Sequence, residues 1–280
     1  MTSNEKPIGV FDSGIGGLTV VRQLMKFLPR ENIIYFGDTA RVPYGNKSAE
    51  VVRSYAIQDA RFLLSRNVKM IVVACNTASA VAMDVVQAHS DVPAIGVIEP
   101  TAAEAMKLVS KGNVRSSSKG IGVIGTLSTI NSCAYSTALN SIDENVSVMA
   151  QACPLFVPLA EEGLFDHQAT DMMAREYLSM FVGKIDVMIL GCTHYPLLRG
   201  AIARTLGDDV KLVDAGEATA KSAYELLSDA KMLNPQKSKP LYEFYVSDFP
   251  QKFNEITERF LGRKMEFVRK VQIYSNGDIR

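Results

Sequence analysis

Two stretches, Ile71-Val72-Val73-Ala74-Cys75-Asn76-Thr77 and Met188-Ile189-Leu190-Gly191-Cys192-Thr193-His194, carry nearly the same text. In each, an apolar run that reads as a buried strand ends in a small residue, a thiol and a hydrogen-bonding residue. A parallel α/β sheet presents its reacting groups at that edge, past the C-terminal ends of its strands. The matching extends outward from the thiols. Ile8-Gly9-Val10-Phe11 returns 113 residues on as Ile121-Gly122-Val123-Ile124, and Ile33-Ile34-Tyr35-Phe36 aligns at the same offset with Val146-Ser147-Val148-Met149. The cysteines lie 117 residues apart, and Ala94-Ile95-Gly96-Val97 aligns loosely with Val210-Lys211-Leu212-Val213 at an offset of 116. Four elements in one order at near-constant spacing indicate two βα-rich halves related by internal duplication. If the halves fold alike and face one another, Cys75 and Cys192 stand on opposite walls of one cleft.

Short segments rich in Val, Ile and Gly alternate with helical patterns, which predicts an α/β fold built on parallel sheets. Strands are expected at 8–11, 33–36, 71–74, 95–98, 121–124, 146–149, 187–190 and 210–213. Leu18, Val21, Leu24, Met25 and Leu28 follow helical spacing and Pro29 comes directly after, so residues 17–28 read as a helix. Val51, Val52, Tyr55, Phe62 and Leu63 mark another helix, and Met172, Met173, Tyr177, Met180 and Phe181 a third. Their methionines and aromatics read as packing surface. The basic, serine-rich stretch 111–119 reads as a solvated linker where the first half hands over to the second. After Val213 a helix over 216–228 leads to the loop 234–240, and 242–246 and 265–268 read as added strands in a tail that returns to cover one half. The expected division is residues 1–98 plus 214–280 as a first α/β domain and 99–213 as a second.

The chain has 280 residues, enough for two domains at roughly 150 residues each. Lys plus Arg equals Asp plus Glu, 30 against 30, so no global field draws the chain to nucleic acid or an anionic membrane. A small soluble partner fits better. Apolar runs stop short of the roughly 18 residues that span a bilayer, and the polar start Met1-Thr2-Ser3-Asn4-Glu5-Lys6-Pro7 lacks the apolar core of a signal peptide. A cytoplasmic location is expected. Cysteines 75, 133, 153 and 192 fit that compartment as free thiols, with no CxxC pair among them. Zinc held by Cys75, Cys192 and His194 would match no common zinc module, so no metal is expected.

Phe11-Asp12-Ser13-Gly14-Ile15-Gly16-Gly17 ends the first strand and opens a helix, but its glycines do not fit G-x-G-x-x-G and no Gly-Lys-Ser/Thr follows, which argues against a nucleotide. Asp12 or Ser13 can cap that helix; Asp12 can equally serve as a carboxylate at the ligand-binding edge of the sheet. Cys75 alone would read as a small buried hydrophobe. Its setting argues for more, because Asn76 or Thr77 can cap the following helix and leave the thiol at a helix N-terminus, which favours thiolate and binds carboxylate. Cys192 has the same setting, with Pro196 suited to the first turn of a new helix and His194 two residues away for proton exchange. Cys133 and Cys153 lack that context and read as structural. Glu161 follows the apolar run Pro154 to Ala160 and can enter the cleft, whereas Glu162 reads as its solvated neighbour. The loop from Gly37 to Gly45 offers backbone N–H groups and the Tyr44 hydroxyl to an anion. A thiol on each side of one bound molecule suits proton removal from one face of a carbon acid and proton return on the other, with no cofactor. Nucleophilic attack by one cysteine with His194 as base would leave the second thiol unexplained.

The segments 11–17, 36–45 (Phe-Gly-Asp-Thr-Ala-Arg-Val-Pro-Tyr-Gly), 74–80 (Ala-Cys-Asn-Thr-Ala-Ser-Ala) and 190–198 (Leu-Gly-Cys-Thr-His-Tyr-Pro-Leu-Leu) together resemble the glutamate racemases, in order from residue 8 to about 220. The resemblance implies two α/β domains with pseudo-twofold symmetry, the active site in the cleft between them, and no cofactor. It further implies that Cys75 works on D-glutamate, assisted by Asp12, and Cys192 on L-glutamate, assisted by Glu161 and His194. Asp12, Ser13, Pro43, Tyr44, Gly45, Asn76, Thr77, Thr193 and His194 match the positions that hold the substrate. Supply of D-glutamate for peptidoglycan and a homodimer are also implied. Only seven residues precede the first expected strand, so the N-terminal extension associated with regulation by a cell-wall precursor in some members is not expected. Two alternatives stay open: a sister racemase acting on aspartate or another small carboxylic acid, and a non-catalytic two-lobed amino-acid-binding protein.

Overall fold

The computed structural model describes residues 3–110, 120–249, 253–265, 268–274 and 278–279; the expected linker 111–119 lies outside them. Continuous apolar runs become strands because both faces of a parallel sheet are covered by helices. In chain order the strands are β1 (Ile8–Asp12), β2 (Ile33–Gly37), β3 (Met70–Val73), β4 (Ala94–Gly96), β5 (Ile121–Gly125), β6 (Val148–Ala152), β7 (Val187–Gly191), β8 (Lys211–Asp214), β9 (Tyr242–Val246) and β10 (Val268–Lys270). They form two sheets, ordered β10-β9-β2-β1-β3-β4 and β6-β5-β7-β8, and every named pairing is parallel. The order β2-β1-β3-β4 thus recurs as β6-β5-β7-β8, as the internal repeat requires. The helices are α1 (Leu18–Phe27), α2 (Ala49–Ser65), α3 (Asn76–Ala88), α4 (Ile98–Ser110), α5 (Leu127–Asn131), α6 (Ala134–Ile142), α7 (Phe156–Glu161), α8 (Gln168–Leu178), α9 (Arg199–Leu206), α10 (Ala215–Asp229) and α11 (Phe253–Leu261).

The registers correct the repeat at its edges. Ile8 pairs with Ile33 and Ile121 with Val148, so β2 and β6 are offset by 115 residues, and 148–152 replaces the expected 146–149. Ile71 pairs with Ala94 and Met188 with Leu212, an offset of 118 for the last strand of each set. Residues 97 and 98 do not extend β4; Ile98 already opens α4. In the tail, β9 adds to β2 and β10 to β9, so the first sheet has six strands where the second has four. β10 begins at Val268, where the expected strand ended, and residues 266 and 267 lie outside the described ones.

The two sheets share a core. Val10, Leu18, Val72 and Ala74 from the first half pack in one cluster with Ile124, Phe156, Leu190 and Tyr195 from the second. α1 presents Leu18, Val21 and Leu24 inward and packs against α10, which also meets α4, so one helix ties both halves together. Among the described residues, no helix is long and apolar enough to cross a membrane.

Candidate active site

The C-terminal edges of both sheets open onto one cavity of about 430 Å³. It is lined by Ser13, Pro43, Tyr44, Gly45, Asn76, Thr77, Glu161, Thr193 and His194, and both Cys75 and Cys192 face it. Of the residues expected at the site, only Asp12 does not line the cavity; it is buried behind it. Ile256 of the tail helix α11 also reaches the wall.

Cys75 follows β3 by two residues and is itself the N-cap of α3: its backbone is extended, and Sγ accepts from Ala78 N at 3.5 Å. The cap therefore falls one residue earlier than Asn76, because Asn76 is already helical. A second contact joins Sγ to Ser13 Oγ at 3.5 Å. Burial, reinforced by the charge of Asp12, pushes the Cys75 thiol up to about 12, against the opposing N–H of Ala78. Asp12 does not cap α1, whose N-cap is Gly17 with no side-chain bond. Instead its Oδ2 accepts from Gly14 N at 3.1 Å, while Oδ1 is buried with no hydrogen-bond partner among the described residues. Burial raises the Asp12 carboxyl, opposed by the Gly17 N–H and the charge of His194.

Cys192 directly follows β7, and Pro196 opens the turn Tyr195–Leu198 that leads into α9. Its Sγ lies 3.8 Å from His194 Nδ1, and His194 Nε2 lies 3.0 Å from Glu161 Oε1. Burial alone would lower the imidazole, but the bonds to Cys192 and Glu161 outweigh it and raise His194 to about 10. The Glu161 side chain is 41% exposed against 10% for His194, so the chain thiol–imidazole–carboxylate runs from the cavity to solvent. The tail holds this chain in place: Phe260 meets the imidazole edge-on at 5.0 Å, and Arg259 Nη1 donates to the Glu161 carbonyl at 3.3 Å. Gly16 is required where the halves meet, since a Cβ there would lie 2.2 Å from Thr193 Oγ1 and 2.5 Å from His194 Cε1.

Polar groups surround the thiols. Tyr135 Oη donates to Asn76 Oδ1 at 2.6 Å, which leaves Asn76 Nδ2, buried and without a partner among the described residues, as the free donor of a cavity-lining amide. Thr126 also lines the cavity; it caps α5, and its Oγ1 lies 2.9 Å from Thr77 Oγ1 across the two halves. Thr126 was not among the expected residues, although the 113-residue offset that relates β1 to β5 makes it the counterpart of Ser13. Tyr135 gives no such signal, because it lies in α6, far in sequence from the residue it orients. Cys153 lies in the core, and Cys133 is exposed at the N-cap of α6. All four cysteines are free thiols.

Duplicated parallel sheets bring a strand-end thiol from each into one cavity, and the Asp/Glu/Hydantoin racemase family model matches residues 18–223. The chain is 48% identical over 269 residues to the glutamate racemase of Geobacter metallireducens, covering 96% of this chain and 97% of the relative. It is 49% identical over 271 residues to that of Chlorobaculum tepidum, with the same coverage. The structure of glutamate racemase from Francisella tularensis in complex with D-glutamate superposes with a TM-score of 0.88 at 44% identity, over 96% of this chain and 98% of that one. The chain belongs to the Asp/Glu/Hydantoin racemase family and, within it, to the glutamate racemases, which are isomerases.

Proposed function

We propose that the chain interconverts L- and D-glutamate by two-base proton transfer at Cα, with Cys192 acting on the L face and Cys75 on the D face. The observation that carries this reading is the pair of strand-end thiols, one from each repeat, in the same cavity. Starting from L-glutamate, the Cys192 thiolate takes the α-proton and the Cys75 thiol gives its proton to the opposite face. D-glutamate leaves Cys192 as thiol and Cys75 as thiolate, and the reverse reaction starts from that state. A protonated Cys75, held so by burial and Asp12, suits the acid of the forward direction. The His194 imidazolium compensates the charge of the Cys192 thiolate, and Glu161 gives the proton a route to solvent. Ser13, Thr77 and Thr193 provide hydroxyl donors and the backbone of the Pro43-Tyr44-Gly45 wall provides N–H donors for the two carboxylates, while Asp12 acts on the substrate ammonium from behind the cavity wall. Similarity to glutamate racemases supports glutamate over aspartate; the same reading takes the protein as a cytoplasmic homodimer that supplies D-glutamate for peptidoglycan.

The test is incubation of the purified protein with L-glutamate in deuterated water without added cofactor. The expected result is Cα deuteration by NMR together with decay of optical activity to zero. Faster turnover of L-aspartate would reassign the substrate to a sister acid. Well-folded protein that gives neither signal, yet binds glutamate, would make the cavity a binding site.

A further inference from the structure

Behind the Pro43–Asn46 wall lies a buried polar cluster that proton transfer between the thiols does not use. Asp38 follows β2, Asp59 lies in α2, and Arg41 and Tyr44 come from the loop between. Arg41 Nε donates to Asp38 Oδ2 at 2.6 Å, its Nη2 to Asp59 Oδ1 at 2.9 Å and its Nη1 to Gln58 Oε1. The guanidinium also stacks on Tyr55, 4.1 Å from the ring centroid. Tyr44 Oη lies 2.5 Å from Asp38 Oδ2 and 2.9 Å from Asp59 Oδ2. A phenol carries one hydrogen and cannot donate to both. One of these contacts therefore takes its hydrogen from a carboxyl group. Among the described residues Asp38 already accepts from Arg41, from Tyr44 and from Ser247 Oγ at 3.0 Å, whereas Asp59 has one donor besides the phenol, Arg41 Nη2. The carboxyl with fewer donors holds the proton. With Asp59 neutral, the cluster contains one carboxylate and one guanidinium; with both acids ionised, an unpaired negative charge would be buried, since both residues are 0% exposed.

We propose that Asp59 is a positioning residue, a neutral carboxylic acid that donates its proton to Tyr44 Oη and so fixes the Pro43–Asn46 wall against the substrate. The proposal rests on the reading of this cavity as the glutamate site. Burial and the charge of Asp38 push the Asp59 carboxyl well above its ordinary range, against the opposing Arg41. The charged or titratable groups that face it are Asp38, Arg41, Tyr44 and, from the end of β1, Asp12.

Asp59→Asn keeps a donor for Tyr44 Oη and an acceptor for Arg41; Asp59→Ala removes both. Asp59→Ala is expected to raise KM for glutamate about tenfold with kcat changed less than about threefold, the loss of one buried hydrogen-bonding partner. Asp59→Asn is expected to stay within about twofold of the parent in both. The parent KM should rise at alkaline pH as Asp59 ionises, and Asp59→Asn should lack that rise. An activity-independent readout is the infrared difference spectrum, parent minus Asp59→Asn, which should show the carbonyl stretch of one protonated buried carboxyl at neutral pH. A missing band overturns the proposal, as does an Asn variant whose KM rises as far as that of Asp59→Ala. If the parent fails to turn over glutamate, the functional reading falls and with it the positioning role, while the band still reports the protonation state of Asp59.

Discussion

The two thiols stand in unlike company, and the chemistry of each side follows from it. Cys75 has the buried Asp12 carboxyl behind it, and Cys192 has the His194 imidazole, bonded in turn to the partly exposed Glu161. Cys75→Ser and Cys192→Ser should each reduce racemisation by at least about 10² while leaving circular dichroism intact, because either face then lacks its acid or base. A serine variant that racemises at the parent rate would refute the two-base scheme. His194 should also set a pH limb. Its imidazole is raised from 6.5 to about 10, so turnover of L-glutamate should fall as pH climbs through about 10 and Cys192 loses its counter-charge. The sign for stability is the same: the folded state binds the proton more tightly, so this contribution is complete below 6.5 and is lost as pH rises through about 10. Urea midpoints of the parent and His194→Asn should therefore converge at high pH. Tyr135→Phe frees the Asn76 amide to turn and should raise KM roughly five- to tenfold, about 1 kcal/mol, without altering the fold. In the sequence, the residues beside the two strand-end cysteines were legible because the repeat marks them twice. Tyr135, Arg41 and Asp59 were not, since their roles depend on which helix faces lie behind the cavity, and periodicity reports a face without reporting its neighbour.

Between elements, a buried ion pair reinforces the junction of the tail with the first sheet, beside the pairing of β9 with β2. Lys69, directly before β3, reaches Glu31 Oε2 at 2.6 Å, and its Nζ also donates to the carbonyls of Asn4 and Met232. Glu31 in turn accepts from Asn234 N through Oε1, so the pair pins the N-terminal turn and the chain after α10 to the starts of β2 and β3. Removing one partner from such a pair leaves a buried charge, and Lys69→Ala should cost about 3–5 kcal/mol. Lys69→Met combined with Glu31→Gln should lose much less, as read from urea denaturation. Equal losses in the two variants would mean that packing, and not charge pairing, holds the junction. The elements differ in how plainly the sequence announced them. β1, β3, β5 and β7 are buried along almost their whole length and were found where expected, whereas β4, β6 and β8, at or next to sheet edges, are only partly buried. A half-exposed strand carries a weaker apolar signal, and the repeat offset could slide by two residues at β6 and β8 without visible penalty.

For the whole molecule, function requires that two similar halves be held at a fixed separation, and the repeat leaves the contacts that fix it to particular residues. Thr77 and Thr126 meet across the halves, Thr19 Oγ1 donates to the Thr193 carbonyl at 2.9 Å, and Gly45 packs against Thr126. A Cβ at Gly45 would lie 2.8 Å from Thr126 Cβ and 2.9 Å from Cγ2. Thr126 cannot swing aside cheaply, because its Oγ1 caps α5 and contacts both Thr77 and Thr129. Gly45→Ala should therefore move the Pro43–Asn46 wall or the halves themselves by a fraction of an ångström. Misplacement of a reacting group on that scale lowers turnover by about 10 to 10², and kcat/KM should fall accordingly. The urea midpoint should move less than in Lys69→Ala, since the change leaves no buried charge without its partner. Adding Thr126→Ser removes Cγ2 but keeps the hydroxyl, and should restore part of the activity. A Gly45→Ala protein with the parent kcat/KM would show that the separation of the halves is set elsewhere, at Gly16 and Thr19, where the first half meets the His194 loop.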